Sequence, residues 1–199
     1  MASSTTWVGM TVALVMIGMV PSVAAEHQPV RVGVQLSNAA GAPPWILAFA
    51  QELVAGVYER AGVEVVWEGQ TEAAQADVQL TIILTRKLPV TSIKNGDVLA
   101  VAIAPPGGRG RLAYVVWPRV EAFAHAKRVP VARVLGRVIA HELGHLLLGH
   151  NAHSDEGIMR AQWNRADFAG IGNKAMFSPE QSARIREHIT TASQVALTK

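Results

Sequence analysis

The feature that most constrains this fold is a long apolar segment that follows Pro130 and runs to about Leu148. Its apolar residues recur with the period of an α-helix and cover most of the helix circumference. One narrow stripe is weakly apolar and contains Arg133, Arg137, Ala140 and Gly144. A helix that is apolar on nearly every side must be surrounded by protein. The sequence therefore predicts a helix buried inside a layered domain.

Shorter segments before this helix predict a sheet and a first helix. Apolar residues between turn residues predict strands over 30–36, 63–67, 77–84, 99–104 and 112–117, with a turn at 95–97. Helical spacing predicts a first helix through Trp45, Phe49, Leu53 and Val57, and Gly62 follows as a stop signal.

A last helix is predicted over about 179–195. Ser178 can cap its first turn, Pro179 fits that turn, and Gln181 can complete a capping box with Ser178. The order of elements predicts an α+β domain, in which a mixed sheet packs on the first helix and on the buried helix.

Length and composition limit the class of protein. The 199 residues suit one domain. The absence of cysteine excludes disulfides and thiolate metal ligands, so His, Asp or Glu must hold any metal. The net charge is only +3, and no basic stripe is interleaved with aromatic residues. We therefore expect no nucleic-acid partner.

The first 25 residues have the pattern of a secretion signal. They contain no charged side chain, and residues 7–20 form an apolar run too short to span a bilayer comfortably. Small residues up to Ala25 suit a signal peptidase. We expect cleavage after Ala25, a catalytic domain over 26–199, a secreted or periplasmic location, and no stable membrane insertion after cleavage. An uncleaved anchor is the alternative.

The buried helix carries the motif His141-Glu142-x-x-His145. The two histidines are four residues apart, which places both imidazoles on one helix face, one turn apart, as capture of a metal requires. Glu142 lies about 100° around the helix. There its carboxylate can reach a metal-activated water without binding the metal, so we predict Zn²⁺ as cofactor and Glu142 as general base.

A catalytic zinc ion usually has three protein ligands. Gly149 can end the helix, after which the chain must turn back toward the metal. His153 has more residues in which to return than His150, so we predict His153 as the third ligand. His150, or a ligand from elsewhere, is the alternative.

These residues resemble the signature of the metzincin clan of zinc endopeptidases, His-Glu-x-x-His-x-x-Gly-x-x-His followed by a methionine turn. This sequence places Gly149 one residue late and His153 two residues late, and Asn151 stands in the usual ligand position. The His-Ser pair at 153–154 and the later Ile-Met pair are similar to the matrixin branch.

The resemblance implies a metzincin-like fold and a peptide or protein substrate. It places Met159 in the methionine turn and makes strand 99–104 the candidate that pairs with the substrate backbone. An ordinary core methionine and an ordinary core strand are the alternatives. The tyrosine that some branches carry after this methionine is absent, since Arg160 follows. The other functions considered are a zinc amidase acting on a non-peptide amide and an exported zinc-binding or interaction module without catalysis.

Overall fold

The computed structural model of the protein describes residues 30–70, 73, 75–89, 98–105, 108–149, 151–168 and 175–197. The predicted signal segment, the predicted turn at 95–97 and the alternative ligand His150 lie outside these residues. Among the helices of the described part, none is long and apolar enough to cross a membrane.

The described residues form five strands and four α-helices. The strands are β1 (Val30–Asn38), β2 (Val63–Trp67), β3 (Val78–Thr85), β4 (Ala100–Ile103) and β5 (Leu112–Val116). The helices are α1 (Pro44–Glu59), α2 (Trp117–Lys127), α3 (Val131–Leu148) and α4 (Pro179–Leu197). A short 3₁₀ turn covers Arg165–Phe168.

The strands form one sheet in the order β2-β1-β3-β5-β4. The pairs β1–β2, β1–β3 and β3–β5 are parallel, whereas β4 pairs antiparallel with β5 at the edge of the sheet. Along β3, alternate residues from Val78 to Leu84 are buried, which is the period-2 pattern of a strand with one face on the core. The fold is α+β with a mixed sheet, as the sequence predicts.

Helix α3 lies at the centre of the molecule. All its residues except Val131 and Arg133 are buried, and even the Arg137 side chain is only 2% exposed. It packs against α1, α2, α4 and strands of the sheet. The prediction of a buried helix is confirmed.

The first helix forms where predicted, and Val57 is buried, but two of the other apolar residues that predict it face solvent. Trp45 and Phe49 are 68% and 47% exposed, whereas Ala50 and Val54 are buried. The cause is the close approach of α1 to α3, since a side-chain atom added at Gly136 would lie 3.0 Å from the Ala50 carbonyl oxygen. Small residues face each other at this crossing, and the bulky aromatic residues point outward.

Helix α2 is absent from the sequence-based prediction, which assigns Trp117 to the preceding strand. Its buried residues are only Trp117, Val120 and Ala124. Pro118 lies in its first turn, which helices tolerate, and Arg128 ends it in the left-handed conformation at φ 55°. The apolar stripe is too sparse for a clear helical period.

Candidate metal centre

The two histidines of α3 meet one turn apart on its buried face. Their Nε2 atoms are 3.0 Å apart. Both residues are 8% exposed, so their imidazoles are largely shielded from solvent. The i, i+4 spacing and the rigid helix together set this geometry.

The chain after α3 brings a third imidazole to the same point. Gly149 ends the helix at φ 95°, a conformation that favours glycine, and its N–H donates to the His145 carbonyl oxygen. The chain then returns, and the His153 Nε2 atom lies 3.0 Å from the Nε2 atom of His145. One nitrogen from each of His141, His145 and His153 falls within 4.8 Å of the other two.

Hydrogen bonds on the far side of two rings define which nitrogen carries the proton. His141 Nδ1 lies 2.8 Å from the Ile158 carbonyl oxygen, and His145 Nδ1 lies 3.4 Å from the Gly149 carbonyl oxygen. A carbonyl oxygen only accepts, so each Nδ1 must be the donor. In the neutral form of both rings, the two Nε2 lone pairs therefore face each other.

Facing lone pairs at this distance repel unless a cation lies between them. Nitrogens at 2.0–2.1 Å from a tetrahedral zinc ion are about 3.3 Å apart, close to the separations seen here. Burial lowers the pKa of His141 to about 4. The neighbouring His145 and His153 also lower it, whereas the hydrogen bond to Ile158 raises it. The ring is therefore neutral at physiological pH, as metal binding requires. The donor set fits Zn²⁺.

Glu142 is buried beside these histidines, and the backbone N–H of Ala102 on β4 stabilises its charged carboxylate. Burial raises the pKa of Glu142 to about 8, and the bond from Ala102 acts in the opposite direction. A carboxyl group with a pKa near neutrality can both take up and release a proton.

Met159 is fully buried and packs against α3. A side-chain atom added at Gly144 would lie 2.4 Å from the Met159 sulfur, so the absence of a side chain there makes room for the methionine. The turn around it is tight, because Gly157 has φ 79° and the Arg160 N–H donates to the Gly157 carbonyl oxygen. The structure thus places Met159 beside the helix that carries the histidines.

Two residues near the centre are absent from the sequence-based prediction of the site. The Trp163 ring stands edge-on to His141 with ring centroids 5.2 Å apart, and its buried Nε1 atom has no hydrogen-bond partner among the described residues. Trp163 follows no periodic pattern, so no local signal indicates its position. Gln181 is predicted only as part of a helix cap, yet it also reaches the loop that carries His153.

Comparisons with known proteins support the architecture. No protein-family profile matches the sequence, and no curated protein matches it. Archaemetzincin from Methanopyrus kandleri has a similar structure, with a TM-score of 0.50 at 17% identity over 80% of this chain and 96% of that one. The fold is metzincin-like.

Metalloproteinase-II from Bacteroides fragilis also matches in structure, with a TM-score of 0.46 and 14% identity over 80% of this chain. The match covers 53% of that longer protein. At these identities the likeness concerns the fold, so the function has to be argued from the site itself.

Proposed function

We propose that this protein is a zinc-dependent peptidase. The observation that carries the proposal is the pair of facing Nε2 lone pairs on His141 and His145, with the His153 nitrogen beside them. The three imidazoles would hold Zn²⁺ and leave a coordination position open, as catalytic zinc sites do. Bound there, the ion would acidify a water molecule and polarise the scissile carbonyl group.

Glu142 acts as general base and then as general acid. Its carboxylate accepts a proton from the attacking water and delivers it to the leaving amine. The raised pKa suits the first step, because the carboxylate is a stronger base and takes the proton from water more readily than one with an ordinary pKa. A purely structural zinc site needs a fourth ligand and no buried base, so Glu142 favours catalysis over a binding module.

Strand β4 supplies an edge for a peptide backbone. Val116 N–H donates to the Leu99 carbonyl oxygen, so Leu99 is in a hydrogen-bonded pair with β5. Antiparallel pairs alternate, and the main-chain groups of Ala100 and Ala102 therefore point away from β5. The Ala102 N–H acts on the Glu142 carboxylate, so this edge, which no described strand covers, lies beside the proposed base. An extended peptide that adds to β4 would pass the reacting group.

A finer assignment to the matrixin branch belongs to the same proposal. It is supported by the consecutive His153 and Ser154 and by Met159 in a tight turn.

Export is also part of the proposal and is supported by the uncharged, apolar segment before Ala25. Sequencing the amino terminus of protein recovered from outside the cytoplasm should give a chain that begins after Ala25. A chain that retains this segment would favour the anchor.

The decisive test compares the wild-type protein with Glu142→Gln on a mixed peptide library, with and without zinc. We expect zinc-dependent cleavage by the wild type and a loss of at least about 100-fold in the variant, because general acid–base catalysis contributes about 10²–10⁴-fold. The matched control is Glu121→Gln on α2, an exposed carboxylate that should leave cleavage unchanged. Stoichiometric zinc binding by a wild-type protein that cleaves no peptide would favour the binding module.

A further inference from the structure

Gln181 connects the first turn of α4 to the loop that carries the third imidazole. Its side chain is 9% exposed. The Nε2 group donates to the Ala152 carbonyl oxygen at 3.2 Å and to the Ser154 hydroxyl oxygen at 3.3 Å. These acceptors belong to the residues immediately before and after His153. One amide group therefore holds both neighbours of that imidazole.

The other end of the same amide is fixed by the helix cap. Its Oε1 atom accepts the Ser178 N–H at 3.0 Å, and the Gln181 N–H donates to the Ser178 hydroxyl oxygen at 3.2 Å. This is the predicted capping box. A backbone N–H needs an acceptor and a carbonyl oxygen needs a donor, so the two contacts determine which end of the amide is oxygen.

The loop needs such support because His153 is exposed and lies outside regular secondary structure. A second tether is the bond from the Ser154 N–H to the Met159 carbonyl oxygen at 3.1 Å. Ordering a loop side chain for metal binding costs conformational entropy. Contacts that order the loop beforehand reduce that cost, as outer-shell partners of metal ligands do.

We propose that Gln181 is a positioning residue for His153 and sets the metal affinity of the centre. The inference rests on the proposed zinc site but not on peptide cleavage. A capping box accepts Glu or Gln equally well, because only an acceptor oxygen is needed. The loop contacts need a donor, which Glu lacks when ionised. The helix cap therefore accounts for a hydrogen-bond acceptor at position 181. Positioning of the His153 loop accounts for the donor, which an amide supplies and a carboxylate does not.

The experiment compares Gln181→Glu with Ser178→Ala. Gln181→Glu keeps the capping acceptor and removes both donations to the loop. Ser178→Ala removes the hydroxyl of the cap but keeps the backbone N–H that holds the amide oxygen. We expect Gln181→Glu to bind zinc about 10–100-fold more weakly in a competition assay with a chromophoric chelator. Ser178→Ala should bind zinc within about threefold of wild type while melting at a lower temperature.

A double-variant cycle with His153→Ala separates positioning from a general loss of structure. Once the imidazole is absent, Gln181→Glu should weaken zinc binding no further. The visible spectrum of Co²⁺ in place of zinc should change toward that of His153→Ala. Gln181→Met serves as a second variant, since it lacks both donor and charge and should also lose zinc affinity.

The proposal is overturned if Gln181→Glu and Gln181→Met bind zinc as the wild type does, or if Ser178→Ala weakens binding as much as they do. An equal loss in the His153→Ala background would also overturn it. A wild-type protein that binds no zinc would instead refute the proposed function, so the two failures are distinguishable.

Discussion

His141 and Ile158 join the buried helix to the turn that carries Met159, because the Nδ1 atom of the imidazole donates to the Ile158 carbonyl oxygen at 2.8 Å. The same turn is fixed from the other side by the bond between Ile158 N–H and the Met176 carbonyl oxygen. The Ile158 carbonyl group, seventeen residues further along the chain, thus determines which nitrogen of His141 carries the proton. Orientation of this kind raises the basicity of the metal-facing nitrogen.

Replacing His153 and His150 one at a time should show which of them is the third zinc ligand. We expect His153→Ala to lose more zinc affinity than the roughly 10–100-fold that outer-shell changes cost, because a ligand itself is removed. His150→Ala should retain zinc. Competition with a chelator measures both variants. The reverse order of affinities would assign the third ligand to His150.

Proline substitutions test the free edge of β4. Ala100→Pro removes an N–H that points away from β5, so the sheet should survive, since proline is tolerated on edge strands. Loss of one backbone hydrogen bond to the substrate is worth about 1 kcal/mol, so kcat/KM should fall by about fivefold with zinc affinity unchanged. Ala102→Pro should also lower kcat/KM, because it removes the donor to Glu142.

The matched control for these variants is Val101→Pro. Val101 is directly opposite Tyr114 in the register, at a hydrogen-bonded position of the antiparallel pair. This variant should destabilise the fold as well as reduce cleavage. Unchanged peptide cleavage by Ala100→Pro would contradict the assignment of β4 as the substrate strand.

Substitution of Gly144 should disturb the contact between α3 and Met159. A Cβ atom there would lie 2.4 Å from the Met159 sulfur and 3.1 Å from a ring carbon of Phe177. Overpacking of this kind costs about 1–3 kcal/mol, so Gly144→Ala should lower the free energy of unfolding by that amount. Urea unfolding of the zinc-free protein measures it.

Gly56→Ala provides the control for this helix substitution. Gly56 lies inside α1 with no atom within 4 Å of an added side chain. The change should therefore be neutral or stabilising by up to about 1 kcal/mol, from helix propensity alone. If Gly144→Ala behaved in the same way, the packing of Met159 against α3 would not constrain the helix.

The sequence predicts the elements whose pattern is strong and local. Strand β2 has the predicted bounds, α3 ends at Leu148, and the capping box of α4 forms as predicted. The convergence of His141 and His145 follows from helix geometry alone. The return of His153 is predicted only from the length of chain after Gly149.

What the sequence does not predict depends on tertiary contacts. The exposed face of α1 is decided by the small residues Ala50 and Gly136, which let two helices approach closely. Trp163 and Gln181 reach the centre through the folding of segments without a repeating pattern. Local periodicity carries no information about such contacts.

The pH dependence of stability should distinguish the zinc-free wild type from Glu142→Gln. Burial raises the pKa of Glu142 from an ordinary value of 4.5 to about 8, so the folded state favours the protonated carboxyl group. The stability it contributes is present below about pH 4.5 and is lost as the pH rises through about 8. Glu142→Gln lacks this titration, so its free energy of unfolding should rise relative to that of the wild type between about pH 5 and pH 9.

Urea unfolding in the presence of a chelator measures the difference. The titration of His141, whose pKa is lowered from 6.5 to about 4, affects stability between about pH 4 and 6.5, but it is common to both proteins and cancels in the difference. A difference that stays constant across this range would show that the Glu142 carboxyl group titrates normally and is not desolvated by the fold.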